Sequence, residues 1–140
     1  MRPNRKDRQF RASATLETSN GFMKGARTLI VDDDSGMRLV VRMLAEEAGC
    51  LVVAEAANGR EAVELAVQHR PDLVIMDLSM PVMDGVEATA RIVRDCPETT
   101  VVAWTTAESA EERERVLAAG ARRFVHKGDR DALADVLRAA

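Results

Sequence analysis

Short apolar runs alternate along the chain with longer stretches in which apolar residues recur every three or four positions. The runs occupy residues 28–31, 51–54, 72–76, 101–104 and 123–126. Because these runs are nearly all apolar, they predict strands that are covered on both faces, as in a parallel sheet. The stretches between them predict helices, whose apolar stripes consist of Met37, Val40, Val41, Leu44 and Ala48, then Ala62, Val63, Ala66 and Val67, then Val86, Thr89, Ala90 and Val93, and finally Leu133, Val136 and Leu137.

Turn-forming residues bound these segments. Gly49 ends the first helical stretch, Asn58–Gly59 is a turn signal, and Gly120 ends the fourth helical stretch. Pro71 and Pro97 precede strands. Strands alternating with helices in this way predict an α/β domain with a parallel sheet of five strands and five helices.

The fourth helical stretch, residues 108–120, differs from the others because most of its residues are charged. Only Val116, Leu117 and the alanines are able to pack. One interpretation is a solvated helix with a thin apolar face. The other is a weakly anchored helix that moves, and the sequence does not decide between them.

Charge divides the chain into two parts. Residues 1–28 hold seven basic and two acidic residues, and the remainder holds 13 basic and 21 acidic residues, a net charge of −8. Residues 1–26 have no sustained periodicity, so we predict a disordered basic extension there and a single domain over 27–140. An acidic domain argues against nucleic acid as its direct partner; a nucleic-acid-binding role for the extension is the less favoured alternative.

Nothing in the sequence indicates a membrane or secreted protein. No apolar run approaches the roughly 20 residues that a membrane-spanning helix needs. No apolar segment of the kind found in signal peptides follows the basic N-terminus. Cys50 and Cys96 lack metal-site spacing and are interpreted as buried thiols in a reducing compartment, so the predicted location is the cytoplasm.

Acidic residues follow two of the predicted strands. Asp32, Asp33 and Asp34 follow the first strand, and Asp77 follows the third. If the strand order is 2-1-3-4-5, these two strands are neighbours and their carboxylates converge at one edge. Two charges about 4 Å apart repel by about 4 kcal/mol at an effective dielectric constant near 20. A bound cation relieves that repulsion, and Mg²⁺ suits oxygen ligands.

Helix capping is the alternative explanation for these acids, with Asp34 or Ser35 as the residue that would cap the first helix. Capping explains one acid per loop, however, and not two adjacent aspartates together with Asp77. Thr105 ends the fourth strand and Lys127 follows the fifth, which places both at the same edge. A hydroxyl and an ammonium group beside carboxylates and Mg²⁺ are typical of a phosphate site.

These motifs resemble those of response-regulator receiver domains, of the chemotaxis-receiver type, in two-component signalling. The matching segments are VDDDS at 31–35, MDLSMPVMDG at 76–85, Thr105 with the Thr106–Ala107 that follow, and GARRFVHK at 120–127. The resemblance covers about residues 27–139. It implies a flavodoxin-like, doubly wound (βα)5 fold with strand order 2-1-3-4-5 and helices on both faces.

The resemblance also implies roles for the site residues. Asp77 would be an exposed nucleophile that accepts a phosphoryl group. Asp33 would bind Mg²⁺ directly and Asp32 through water, with Asp77 and the backbone carbonyl of Ser79 completing the metal site. Asp84, with Gly85, belongs to the turn into the third helix and is structural.

Thr105, Lys127 and Phe124 also have roles that the resemblance implies, in binding the phosphoryl group and in the switch. The Thr105 hydroxyl and the Lys127 ammonium group would bind the phosphoryl group, and Phe124 occupies the position of the family's switch aromatic residue. The surface of the fourth helix, fifth strand and fifth helix would then change shape. That surface would contact a downstream protein or an output domain, or pair two copies of the chain; the phosphoryl donor would be a histidine kinase or phosphotransfer protein. The domain would be a switch and not an enzyme.

Three positions depart from the family pattern or leave it ambiguous. Lys127 is followed by Gly128, where the family often has proline with a cis peptide bond. Thr106 is an alternative source of the switch hydroxyl, although the spacing to Lys127 favours Thr105. Trp104 is interpreted as core packing, with a role beside the switch as the alternative.

A different class of protein remains as a rival. In the segment LIVDDDS, residues 29–35, Asp32 has the position of the nucleophile of haloacid-dehalogenase-type phosphatases, which depend on Mg²⁺. That interpretation leaves residues 76–85 without a purpose, and the chain is short for such an enzyme. The sequence is compatible with a stand-alone receiver and equally with the receiver part of a DNA-binding regulator.

Overall fold

The computed structural model describes residues 25–106 and 109–139, in which strands and helices alternate strictly. The strands are β1 (Arg27–Val31), β2 (Leu51–Ala56), β3 (Leu73–Met76), β4 (Thr100–Thr105) and β5 (Arg123–His126). The helices are α1 (Ser35–Glu47), α2 (Gly59–His69), α3 (Gly85–Asp95), α4 (Ala110–Ala118) and α5 (Arg130–Ala139). The predicted extension falls almost entirely on residues 1–24, which lie outside the described residues.

The strands form a five-stranded parallel sheet in the order β2-β1-β3-β4-β5. Ile30 of β1 lies beside Ile75 of β3, which lies beside Val102 of β4. The predicted flavodoxin-like, doubly wound (βα)5 fold is therefore confirmed. Strand order reverses between β1 and β3, so the carboxyl ends of these two strands open at the edge where such sheets bind ligands.

Two apolar layers cover the sheet, one on each face. One layer contains Leu29 and Val74 with side chains of α2, α3 and α4, including Ile92. The other contains Ile30 and Ile75 with side chains of α1 and α5. Alternation of strand side chains between the two faces accounts for this division. Both faces are covered, which explains why the strands are almost wholly apolar.

Trp104 and the two cysteines lie inside these layers. Trp104 is fully buried in the layer of α1 and α5, as the packing interpretation predicts. Cys50 lies in the same layer and Cys96 in the opposite one, and both are free thiols. Burial raises the pKa of both thiols. Their interpretation as small buried residues is confirmed.

The predicted helix stripes are right in outline and wrong at two positions. Val67 of α2 is 42% exposed, and Ala90 of α3 is also exposed. In α3 Thr89 is buried as predicted, and Ala88 and Ile92, which were not predicted, are buried with it. The side of α3 that faces the sheet is thus rotated slightly from the predicted one. Short apolar side chains such as Ala90 are compatible with either side of a helix, which is why the pattern misplaced it.

Predicted helix ends and caps are confirmed at several sites. Gly49 and Gly120 follow α1 and α4 with positive φ angles of 91° and 118°. Asp34 caps α1 by accepting a hydrogen bond from the N–H of Gly36. The turn signal at Asn58–Gly59 coincides instead with the start of α2, where Asn58 accepts a hydrogen bond from the N–H of Glu61. Of the side chains described in α4, only that of Val116 is buried, so its apolar face is thin as predicted.

The helices of the described residues are all too short or too polar to cross a membrane.

Candidate functional site

Carboxylates from β1 and β3 meet at the carboxyl edge of the sheet. Asp32 and Asp33 follow β1 directly and Asp77 follows β3 directly, so the pairing of these strands places the three residues together. One carboxylate oxygen from each lies within 4.8 Å of those of the other two. The structure thus brings together the three acidic side chains that the sequence predicted as metal ligands.

The three acids differ in burial. Asp32 is 1% exposed and Asp77 3% exposed, whereas Asp33 is exposed. The expectation that Asp77 is an exposed nucleophile is therefore wrong in this structure. The Asp77 carboxylate lies in the acidic cluster with that of Asp32, and the ammonium group of Lys127 contacts it. Two buried carboxylates side by side are tolerated only with a compensating positive charge.

Lys127 supplies part of that charge from the end of β5. Its Nζ atom lies 2.7 Å from Oδ2 of Asp32 and 3.3 Å from Oδ1 of Asp77. Its backbone N–H donates to the carbonyl oxygen of Thr105, 2.8 Å away, which extends the pairing of β4 and β5 by one residue. The ammonium group consequently bridges both buried carboxylates.

The pKa of Asp77 reflects these opposing effects. Burial and the charge of Asp32 raise it from 3.8 to about 6, and Lys127 and the N–H of Ser79 limit the rise. Burial alone would lower the pKa of Lys127, but its contacts with Asp32 and Asp77 outweigh burial and raise it. At neutral pH Asp77 is therefore ionised, and any additional positive charge in the cluster would stabilise its ionised form.

The loop after β3 is packed closely against two helix starts. A Cβ atom on Gly85 would lie 2.1 Å from the carbonyl oxygen of Asp77, and one on Gly59 would lie 2.1 Å from that of Met83. Only glycine fits at either position. Asp84 caps α3 by accepting a hydrogen bond from the N–H of Glu87, in agreement with its predicted structural role.

Two other residues of this loop, Ser79 and Val82, have distinctive positions. The N–H of Ser79 points to Oδ1 of Asp77 over 3.4 Å, so Ser79 is directly beside the carboxylate. Val82 has a positive φ of 72° and is 69% exposed. A β-branched residue rarely adopts that conformation, which indicates that the surrounding loop imposes it.

The structure separates the two adjacent threonines at the end of β4. Thr105 is fully buried and pairs with His126 across the strands, whereas Thr106 is exposed beyond the strand. The position of Thr105 at the strand end beside Lys127 agrees with the spacing argument in its favour. The described residues contain no cis peptide bond, and the N–H of Gly128 donates to Nδ1 of His126.

Phe124 lies on β5, half-buried between the sheet and α4. The guanidinium carbon of Arg113 on α4 is 5.3 Å from the centre of its ring, a distance typical of a cation–π contact. The side chain predicted as a switch residue thus contacts the helix predicted to move.

Sequence reasoning missed a group of charged residues behind the acidic cluster. Arg38 and Arg42 of α1 both contact Glu55 of β2, and Arg38 also contacts the backbone of Asp32. The available signals were an acid inside the apolar strand LVVAEA and two arginines spaced four residues apart on a helix. Neither signal indicates by itself that the residues meet.

The cluster fits a hard divalent cation. Its donors are carboxylate oxygens, one on the exposed Asp33 and two on buried residues that Lys127 compensates only in part. Oxygen donors of this number and type suit Mg²⁺. The ammonium group of Lys127 leaves the cluster with net negative charge, which a cation would neutralise.

Comparison with known proteins identifies the family. The profile of the family described as "Response regulator receiver domain" matches residues 28–138. A protein of Pseudomonas aeruginosa described as a putative transcriptional regulator is 42% identical over 115 residues, which are 82% of this chain and 55% of that protein. The matches span about a quarter to just over half the length of the first curated relatives.

Solved structures give the same result. The response regulator domain of Thermotoga maritima CheB has a TM-score of 0.74 and 28% identity, with 82% of this chain and 95% of that chain covered. A structure described as a CheX–CheY–BeF3–Mg complex of Borrelia burgdorferi has a TM-score of 0.75 and 25% identity, with 84% and 90% covered. This chain belongs to the response regulator receiver domain family of two-component signalling.

Proposed function

We propose that this receiver domain accepts a phosphoryl group on Asp77 from a histidine kinase or phosphotransfer protein. The observation that carries the proposal is the Asp77 carboxylate, held beside Asp32 and Asp33 and contacted by Lys127 at the carboxyl edge of the sheet. This arrangement joins a nucleophile to groups that bind phosphate and metal. Membership of the family supports it further.

Mg²⁺ is the proposed cofactor. Asp33 and Asp77 would hold it directly, Asp32 would hold it through water, and the backbone carbonyl of Ser79 would complete the set. The ion would neutralise negative charge on the phosphoryl oxygens, a general requirement of phosphoryl transfer. The relative described as a complex with BeF3 and Mg supports this choice of metal.

The residues of this chain would perform the transfer as follows. A carboxylate oxygen of Asp77 attacks phosphorus, a new P–O bond forms, and the bond from phosphorus to the donor histidine nitrogen breaks. The imidazole of the donor retains the electron pair. Lys127 exchanges its 3.3 Å contact with Asp77 for the phosphoryl oxygens. The Thr105 hydroxyl donates to the same group, and Thr106 is the alternative donor.

Phosphorylation would then act on the surface of α4, β5 and α5. The phosphoryl group adds a charge of about −1.5 to −2. Movement of Thr105 toward it would leave space for the ring of Phe124, which now lies under Arg113. Because only Val116 anchors α4 among its described side chains, little apolar contact opposes a shift of that helix. The shift would change affinity for a downstream protein, an output domain or a second copy of the chain.

Each domain would accept one phosphoryl group and would not turn over a substrate. It would therefore act as a switch and not as an enzyme. The cytoplasm is the proposed location, in accordance with the two free thiols. The rival phosphatase, with Asp32 as nucleophile, finds no support in the geometry. Both carboxylate oxygens of Asp32 are engaged, one by Lys127 and the other by the N–H of Asp34.

Incubation with acetyl phosphate and Mg²⁺, followed by intact-mass measurement, tests the proposal. Wild-type protein should gain the mass of one phosphoryl group, and Asp77→Asn should gain none. Asp84→Asn is the matched control, since Asp84 caps α3 and asparagine retains the cap; it should be labelled like wild type. No mass gain in wild type, or continuous turnover of a phosphate ester, would overturn the proposal.

A further inference from the structure

Glu55 is an acidic residue inside the otherwise apolar strand β2. It lies beside Ile30 of β1, and its side chain is 28% exposed. A half-buried carboxylate in such a strand needs partners of opposite charge. The proposed phosphoryl transfer assigns no role to it.

Two arginines of α1 hold this carboxylate. Nε of Arg38 donates to Oε1 of Glu55 over 3.0 Å. Nε of Arg42 donates to Oε2 over 2.8 Å, and its Nη2 lies 2.6 Å from the same oxygen. Burial raises the pKa of Glu55, but the hydrogen bonds from Arg42 and Arg38 outweigh burial and lower it. Glu55 is thus ionised, and each of its two carboxylate oxygens accepts a hydrogen bond from an arginine.

Arg38 also reaches the acidic cluster. Its Nη1 donates to the carbonyl oxygen of Asp32 over 2.8 Å. That carbonyl belongs to the peptide unit that joins Asp32 to Asp33. The N–H of Asp32 donates to the carbonyl oxygen of Ala56, the residue after Glu55. The end of β2 therefore holds the backbone of Asp32 on both sides, directly at the N–H and through Arg38 at the carbonyl.

Asp33 depends on this backbone for its orientation. Its carboxylate has no hydrogen-bond or ion-pair partner among the residues that the structure describes, whereas Asp32 and Asp77 are both held by Lys127. Rotation of the peptide unit between Asp32 and Asp33 would turn the Asp33 carboxylate away from the other two. The hydrogen bond from Arg38 opposes that rotation.

The positive charge of Arg38 would by itself disfavour a cation at the cluster, because like charges repel. Glu55 neutralises it. The pair of Arg38 and Glu55 can therefore hold the backbone without adding net positive charge beside the carboxylates. An isolated arginine or an isolated glutamate at these positions would not combine the two properties.

We propose that Arg38, anchored by Glu55, is a positioning residue that directs the Asp33 carboxylate toward Asp77 for cation binding. The inference rests on the proposed function, since it concerns the same metal site. Residues that support metal ligands from behind typically change metal affinity about 10-fold to 100-fold when they are replaced. Arg38 acts at one remove, through the backbone, so we expect roughly a tenfold loss of Mg²⁺ affinity in Arg38→Gln.

The test is a Mg²⁺ titration followed by amide chemical shifts in nuclear magnetic resonance spectra of wild type and variants. Arg38→Gln and Glu55→Gln should each weaken binding, and the double variant should be no weaker than Arg38→Gln alone. Arg91→Gln is the matched control, because Arg91 forms an exposed pair with Glu87 one turn away on α3. It should bind Mg²⁺ like wild type.

Two further readouts separate positioning from a general loss of stability. Without metal, amide hydrogen exchange at Asp34, whose N–H donates to Oδ1 of Asp32, should be faster in Arg38→Gln and unchanged in Arg91→Gln. At saturating Mg²⁺, acetyl phosphate should label Arg38→Gln as fully as wild type. If Arg38→Gln does not fold, Arg38→Lys replaces it: lysine keeps the charge, lacks the forked donors, and should also weaken binding.

The outcomes distinguish this inference from the proposed function. Wild-type affinity in folded Arg38→Gln or Arg38→Lys would overturn the positioning role and leave the proposed function intact. Failure of the wild-type protein to bind Mg²⁺ near Asp33 would overturn both. A loss of affinity equal to that in Arg91→Gln would show a nonspecific charge effect and would also overturn the inference.

Discussion

Asp77 is ionised at neutral pH although its surroundings disfavour the charge. Its side chain is 5% exposed, and burial together with Asp32 raises its pKa to about 6. The position of Asp77 at the end of β3 could be predicted from the sequence, because the apolar run of that strand stops there. The burial of Asp77 could not be predicted, since its surroundings include Lys127, which reaches the cluster from 95 positions beyond Asp32.

The raised pKa predicts a dependence of stability on pH. The folded protein holds the Asp77 proton more tightly than the unfolded chain, so this contribution to stability is full below about pH 4 and is lost as pH rises through about 6. Asp77→Asn removes the charge. In metal-free buffer at pH 7.5, we expect its free energy of unfolding to exceed that of wild type by about 1–3 kcal/mol.

Urea unfolding followed by the fluorescence of Trp104, the only tryptophan, measures this difference. The excess stability of Asp77→Asn should shrink as the pH is lowered from 7.5 to 4. A difference that is absent at pH 7.5, or that grows toward acid pH, would contradict the assigned pKa shift.

Among the helices, α4 has the weakest apolar attachment to the sheet. Its described side chains include one buried residue, Val116, whereas α3 has four buried positions. Leu117 beside it is 39% exposed. Elements with few buried contacts open at low free energy and are the ones that move in switches. The structure thus agrees with the premise that both interpretations share, a thin apolar face, and movement of this helix stays a prediction.

Replacing the buried side chain should loosen α4 selectively. In Val116→Ala, we expect the amides of residues 110–118 to exchange at least about tenfold faster, because loss of a buried side chain costs on the order of 1–2 kcal/mol. The amides of α5 should be much less affected. Leu117→Ala is the control and should change exchange little. Equal effects of the two variants would argue against Val116 as the anchor.

The success of sequence reasoning also differs between kinds of element. The strands were predictable because each is a continuous apolar run between turn residues. Which side of a helix faces the sheet was harder to predict: Val67 and Ala90 were assigned to the apolar stripes, and both are exposed. The contact between Arg38 and Glu55 joins residues 17 positions apart through side chains on different elements. Periodicity within one element carries no information about such a contact.

For the whole molecule, the order of the strands is what makes the site. Neighbouring β1 and β3 supply the acids, and β4 and β5 supply Thr105 and Lys127 at the same edge. No single element carries the complete set, so cation binding should report on the folded domain as a unit. The unfolded chain would not hold these groups together.

Mg²⁺ should therefore stabilise the domain by mass action. At a free concentration about 100 times its dissociation constant, we expect the free energy of unfolding to rise by about 2.7 kcal/mol. Asp33→Asn should lose most of this increment. Asp34→Asn should keep it, because Asp34 lies outside the cluster and asparagine also caps helices. Urea unfolding with and without Mg²⁺ measures the increment, and an equal loss in both variants would contradict the site assignment.

The placement of the two cysteines has a practical consequence. Because Cys50 and Cys96 lie on opposite sides of the sheet, they cannot form a disulfide with each other while the sheet is intact. Each thiol becomes reactive only when its own layer opens. Labelling of Cys96 reports on the side that holds α4, and labelling of Cys50 reports on the side of α1 and α5. The wild-type protein thus carries one chemical reporter for each half of its interior.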